Sequence, residues 1–177
     1  MERTGLLGGI ARFALVAGAL ACPMVAPGTA AAQAPAGKLP VVVVLSTGGT
    51  IAGRGASSTS LTEYKGGTLT GADLVDAVPE ISQFANVRVE QVINVGSPDI
   101  TLSDWVTIAN RVNAIFASDR EVAGVVITHG TNTLEETAYF LNLTVKHDRP
   151  VVLVGAQRPA TAISADGPLN QIGRAHV

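Results

Sequence analysis

At 177 residues, with a formal net charge of −2 and no run of lysine or arginine, the chain has room for one core domain and lacks the electrostatic footprint of a nucleic-acid binder. Hydrophobic residues make up 47% of it and aromatics only 4%, alongside 19 glycines, a balance that suits an α/β core packed from Val, Ile, Leu and Ala. Cys22 is the one cysteine, and His129, His147 and His176 stand apart without ligand spacing, which argues against thiolate and metal chemistry.

Residues 1–32 have the layout of a secretory signal peptide. Arg3 and Arg12 precede an apolar stretch from Phe13 to Leu20, and Ala30-Ala31-Ala32 offers a small-residue cleavage site before Gln33. The stretch is too short for a permanent span, so cleavage after Ala32 leaves no membrane attachment and sends the protein to the periplasm or outside the cell. A lipoprotein signal built on Cys22 is disfavoured, because Ala19 stands where a bulkier aliphatic residue is preferred. Cleavage also removes Cys22, so stability in an oxidising compartment rests on packing. Residues 33–40 read as an Ala/Pro/Gly linker.

Val41–Ser46 reads as a buried parallel strand running into Thr47-Gly48-Gly49-Thr50. Residues 53–71, rich in Gly, Ser and Thr, read as a long mobile loop of the kind that serves as a lid. A short helix over Ala72–Val78 stops at Pro79, and Val87–Ile93 is a strand. Asp104–Phe116 places Trp105, Ile108, Val112, Ile115 and Phe116 at helical spacing, with Ser103 as the cap and core packing as the role of the aromatics. Val122–Thr128 is the next strand. The helix over Thr133–Val145 opens on a capping-box pattern, Thr133 with Glu136, and Val151–Gly155 is a further buried strand. Alternating strands and helices predict an open, mostly parallel, Rossmann- or flavodoxin-like sheet with helices on both faces.

Two strands share one design: each ends abruptly in Gly-flanked threonines, first at Thr47-Gly48-Gly49-Thr50 and again at Thr128-His129-Gly130-Thr131. A threonine hydroxyl is a weak nucleophile that needs a proton acceptor within reach. Glycine-lined strand ends supply backbone N–H groups for a developing oxyanion. Taken singly, each residue has a plainer role: a tight turn for Gly48-Gly49, a hydrogen-bonded strand end for His129, a surface position for Tyr64, and helix-dipole compensation for Glu135 and Glu136.

Jointly, Thr47-Gly48-Gly49-Thr50-Ile51 and His129-Gly130-Thr131 with Glu135-Glu136-Thr137 resemble the two signatures of bacterial-type L-asparaginases. Asn94-Val95-Gly96-Ser97, the segment Pro150–Pro159 and Ser164-Ala165-Asp166-Gly167-Pro168-Leu169-Asn170 match in family order, so the likeness covers residues 41–170. With the leader, the chain resembles the exported, type II branch. The resemblance implies hydrolysis of the side-chain amide of L-asparagine to aspartate and ammonia, with L-glutamine as a second candidate substrate, and without metal or organic cofactor. It implies Thr47 as nucleophile, Tyr64 on the mobile loop as its assistant, and Thr131 as the second catalytic threonine. It places Ser97 at the substrate's α-carboxylate, with Gly48, Pro98, Gly130 and Asn132 lining the substrate. It further implies a homotetramer, a downstream catalytic lysine and a second, smaller domain.

Two positions depart from that pattern. Asn132 stands where an aspartate that meets the α-ammonium is usual, a loss of charge worth about 1–2 kcal/mol. Pro98 replaces a common glutamine and offers neither side-chain donor nor N–H. Residues 171–177 resemble a translated sequencing adapter more than a continuation of the family, which suggests a shortened gene model. The 177-residue chain alone is then expected to be inactive and poorly soluble, through exposed edge strands and interface surface. The rival readings are a glutaminase-type or other amide hydrolase, and a catalytically silent periplasmic amino-acid-binding module. The glycine spacing fits neither a dinucleotide nor a phosphate loop.

Overall fold

The computed structural model describes residues 38–175. The expected signal peptide, most of the linker and the last two residues of the tail lie outside them.

The main sheet has four parallel strands in the order β4-β1-β5-β6: β1 (Val41–Gly48), β4 (Asn86–Val95), β5 (Val122–Thr128) and β6 (Val151–Val154). A separate two-residue hairpin pairs β2 (Arg54–Gly55) with β3 (Tyr64–Lys65). Among the described residues, four α-helices accompany the sheet: α1 (Gly71–Asp76), α2 (Leu102–Ser118), α3 (Leu134–Thr144) and α4 (Gly167–Ala175). The expected α/β architecture is present, and each strand starts within a residue or so of the expected boundary.

Strand parity divides the core. Val41, Val43 and Leu45 of β1 face the same way as Val125 and Ile127 of β5, and bury against Ile108, Val112, Ile115 and Phe116 of α2 and Leu141 of α3. Trp105 is only half-buried, because it lies between α2 and α3 and stacks on Phe140. The opposite face holds Val42, Val44, Val126 and Val152 around an apolar cavity of about 100 Å³, with Ile81 and Gln171 at its border. Nearer the strand ends on that face, Ile51, Ala52, Leu74, Val154 and Ala156 form a second cluster.

Some local expectations are corrected. The cap of α2 is Thr101, whose side chain accepts the Asp104 N–H while the Asp104 carboxylate accepts the Thr101 N–H; Ser103 sits inside the helix. Thr133 makes no side-chain cap on α3, because its hydroxyl donates to the Ser97 carbonyl at 3.0 Å instead. Helix α1 starts at Gly71 behind a Thr70–Asp73 capping box and ends before Val78. The Gly/Ser/Thr-rich stretch is not featureless, since it contains the β2–β3 hairpin that fixes Tyr64. Helix α4 runs on through residues 171–175, and Gln171 on it is buried.

The connections locate the site. From β1 the chain moves to β4 on one side; from β5 it moves to β6 on the other. In open α/β sheets such a reversal opens a crevice at the carboxyl ends of the strands, here those of β1 and β5.

Candidate active site

Both threonine-bearing turns lie at that crevice. Gly48 and Gly49 take φ of +100° and +77°, which turns the chain sharply out of β1 into a 3-10 turn over Thr50–Ala52. A side chain on Gly49 would overlap the backbone of Gly130, and one on Gly130 would overlap the Ser97 hydroxyl. The ends of β1, β5 and β4 therefore meet in direct backbone contact, and Gly48, Gly49, Gly130 and Ser97 form one continuous patch. The register shift between Ser46 and Gly48 against β4 accompanies this turn.

The two threonines of the first motif part company here. Thr47 is still in the strand, 1% exposed, and its Oγ1 donates to the Thr128 carbonyl at 2.8 Å. Its parity continues the Val43–Leu45 face that α2 and α3 cover. Thr50 lies beyond the glycines, and its Oγ1 is 2.7 Å from the Tyr64 hydroxyl. The expected pairing of Tyr64 with Thr47 is therefore corrected: Tyr64 meets Thr50. Gly53 packs on the Tyr64 ring, where a Cβ would come within 2.8 Å, and the hairpin delivers the phenol.

Ser97 is buried in the turn after β4 and joins the second motif. Its Oγ accepts the Asn132 N–H at 3.1 Å and donates to Asn132 Oδ1 at 3.2 Å. Thr131 opens the turn after Gly130. Its methyl lies toward Gly155, where a Cβ would be 3.0 Å away. Thr131 borders a cleft of about 480 Å³ with Leu134, Gly155, Gln157, Asp166 and Asn170. Pro98 and Asn132 are the exposed members of the cluster. Thus Thr50, Tyr64, Ser97, Thr131, Asn132 and the glycines gather at the strand ends, while Thr47 stays within the sheet beneath them.

Two supporting networks escaped the sequence reading. His129, fully buried, has Nδ1 2.6 Å from the Gly130 carbonyl and Nε2 3.0 Å from Thr137 Oγ1. A carbonyl only accepts, so Nδ1 carries the proton and Nε2 accepts from Thr137. Thr137 in turn accepts the Trp105 indole N–H at 2.8 Å. Burial pushes the His129 imidazole below its ordinary pKa, against the opposing pull of the Gly130 carbonyl and Glu136. The plain strand-end role for His129 is the one its geometry displays. In the second network, burial alone would raise the Asp166 carboxyl. The N–H groups of Gln157 and Arg158 and the Asn170 amide nevertheless hold it below its ordinary value. Asn170 also donates to the Gly155 carbonyl, which fastens the cleft wall.

A family model described as Asparaginase, N-terminal, matches residues 41–176. The chain belongs to the asparaginase family. It is 58% identical over 132 residues to L-asparaginase 2 of Bacillus subtilis (strain 168), covering 75% of this chain and 35% of that protein. It is 52% identical over 133 residues to the glutaminase-asparaginase of Pseudomonas fluorescens biotype A, covering 75% and 36%. A probable periplasmic L-asparaginase of Haemophilus influenzae is 53% identical over 135 residues, 76% of this chain and 38% of that one. Among solved structures, the probable cytoplasmic L-asparaginase of Campylobacter jejuni superposes with a TM-score of 0.74 at 48% identity, covering 77% of this chain and 41% of that one. The chain thus spans a little over a third of the length of these asparaginase relatives.

Proposed function

We propose that the protein hydrolyses the side-chain amide of a small amino-acid amide, L-asparagine or L-glutamine, with Thr50 as the nucleophile. The observation that carries this assignment is the 2.7 Å contact between Thr50 Oγ1 and the Tyr64 hydroxyl at the open strand end. Thr47, by contrast, spends its hydroxyl proton on the Thr128 carbonyl inside the sheet. A nucleophile needs both access and a proton relay, and only Thr50 has the two together.

In this mechanism Thr50 Oγ1 attacks the amide carbon while its proton passes to the Tyr64 oxygen, and the phenol delivers its own proton to the amide nitrogen that leaves. The tetrahedral oxyanion rests against N–H groups of the glycine-lined strand ends. Collapse breaks the C–N bond, and the nitrogen takes a proton and leaves as ammonia. Water then attacks the Thr50 ester, releasing the carboxylic acid and restoring the hydroxyl. Thr131, at the mouth of the cleft, is the second hydroxyl on the substrate's path. Ser97, with Gly48, Gly130, Pro98 and Asn132 around it, forms the wall that holds the rest of the substrate.

Two coarser expectations travel with this reading. Export to the periplasm is supported by the leader-like residues 1–32 and by the name of the Haemophilus influenzae relative, whereas the Campylobacter jejuni relative is named cytoplasmic. Assembly into a homotetramer is supported by the exposed Leu102, Val106, Tyr139 and Leu143 on α2 and α3. Ammonia release from L-asparagine and L-glutamine by the protein expressed from its complete reading frame, beside its Thr50→Ala variant, tests the reading. Turnover that disappears in the variant supports it. No release on either amide by folded protein would leave the silent binding module in its place.

A further inference from the structure

The hairpin that delivers Tyr64 is held from two sides. On the β3 side, the Gly67 N–H donates to the Gly49 carbonyl at 3.1 Å, and the N–H groups of Thr68 and Leu69 donate to the Ala52 carbonyl at 2.8 and 2.9 Å. On the β2 side, three bonds join it to the connection between β6 and α4. The Ala160 N–H donates to the Gly53 carbonyl and the Ile163 N–H to the Ser58 carbonyl, both at 2.9 Å. The third runs from the Gly55 N–H to Thr161 Oγ1, also at 2.9 Å. Of these three, the Thr161 bond alone uses a side chain, so it alone depends on which residue stands at 161.

Gly55 stands opposite Tyr64 in the β2–β3 register, so whatever fixes the Gly55 backbone fixes the strand partner of Tyr64. A ladder this short has little stability of its own and takes its position from what it is bonded to. The connection that carries Thr161 is itself braced. The Asp166 carboxylate accepts from the N–H groups of Gln157 and Arg158, and the N–H groups of Ala162 and Ala165 close turns onto the Pro159 and Ala162 carbonyls at 2.9 and 3.0 Å. Resting on the amide-hydrolase reading above, we infer that Thr161 is a positioning residue for the reaction. It holds Gly55, and through the hairpin the Tyr64 hydroxyl, at the 2.7 Å separation from Thr50 Oγ1 that proton transfer needs. Thr161 makes no hydrogen bond to Thr50 or Tyr64 and acts through the Gly55 backbone.

Thr161→Val keeps the shape of the side chain and removes the acceptor, whereas Thr161→Ser keeps the acceptor. Both are made in the protein from the complete reading frame, and kcat and KM are read by ammonia release from L-asparagine and L-glutamine. Thr161→Val should lower kcat roughly tenfold with KM held within about twofold, because a misplaced relay slows the chemical step and leaves the substrate contacts intact. Thr161→Ser should recover most of the loss. Limited trypsin digestion gives a readout independent of turnover, since Arg54 and Lys65 lie one on each strand of the hairpin. Cleavage at these two should quicken several-fold in Thr161→Val, while cleavage at Arg88 in β4 and Arg111 in α2 stays unchanged. An unchanged kcat in Thr161→Val would overturn the inference and leave the hydrolase reading standing. So would a fall in kcat with no change at Arg54 and Lys65, or with faster cleavage at all of these sites, which marks a general loss of stability. Ammonia from neither amide with the wild type would overturn the hydrolase reading and the inference with it.

Discussion

Thr137 is the hinge of the network that ties both covering helices to the strand end, and replacing it by valine tests that network. Valine matches threonine in shape, so the substitution changes hydrogen bonding and little else. It removes the acceptor for the Trp105 indole N–H, held at 2.8 Å, and the donor to His129 Nε2, held at 3.0 Å. Thr137 is 0% exposed, so water cannot take either place without the structure opening. Each orphaned buried group costs about 1–3 kcal/mol, and the added methyl recovers part of that, which leaves a net loss of about 2–4 kcal/mol. Set against total stabilities of about 5–15 kcal/mol, this is a large effect for one oxygen atom. Urea unfolding of the protein from its complete reading frame, followed by far-ultraviolet circular dichroism, measures it without relying on Trp105 fluorescence. Trp105→Phe removes the indole N–H together with part of the ring area that stacks on Phe140. In a double-mutant cycle the two substitutions should cost less together than their sum, by about 1 kcal/mol, because they delete the same bond. Strict additivity, or a Thr137→Val loss below about 0.5 kcal/mol, would refute the network as a source of stability.

Three further outcomes follow from the same geometry. Gly49→Ala forces a side chain into φ +77° and against Gly130, and should cost about 2–4 kcal/mol in thermal unfolding along with most of the activity. Arg149 donates to the carbonyls of Phe116, Asp119 and Val122 and lies 4.3 Å over the Phe116 ring, so Arg149→Met should lower stability by roughly 2–3 kcal/mol in the same assay while leaving KM unchanged. The folded-state pKa of His129 is depressed by burial, so the unfolded chain binds its proton first. The resulting stability is fully present above the unfolded value of about 6.5 and is lost as pH falls through the folded value. The urea midpoint should therefore drop on acidification, and His129→Gln should flatten that part of the profile.

Much of the fold was legible because its signals are local. The run Val41-Val42-Val43-Val44-Leu45 has the two-sided apolarity of a central parallel strand, and β1 proves to lie between β4 and β5. The spacing of Ile108, Val112, Ile115 and Phe116 gave the buried stripe of α2 directly. Caps were harder: Thr101 and Ser103 both suit the start of α2, and the bond to Asp104 decides between them. At the site, the sequence reading paired Tyr64 with Thr47, whereas the hairpin brings Tyr64 to Thr50. Side-chain parity contained the missing step. Thr47 continues the alternation of Val43 and Leu45 and so points under the helices, whereas a residue after two positive-φ glycines is the first free to leave the sheet. The His129–Thr137–Trp105 chain was not legible, because it joins three elements whose relative placement no spacing encodes.

The account turns on which threonine reacts, and isosteric replacement of each separates them most directly. Turnover of the preferred amide by Thr50→Val and Thr47→Val should be compared with wild type, each variant first shown to be folded by circular dichroism. Thr50→Val is predicted to lose activity by roughly a thousandfold or more, as removal of a covalent nucleophile does. Thr47→Val is predicted to lose about 1 kcal/mol of stability with its bond to Thr128 and to stay within roughly tenfold of wild-type turnover. An inactive Thr47→Val beside an active Thr50→Val would contradict the assignment.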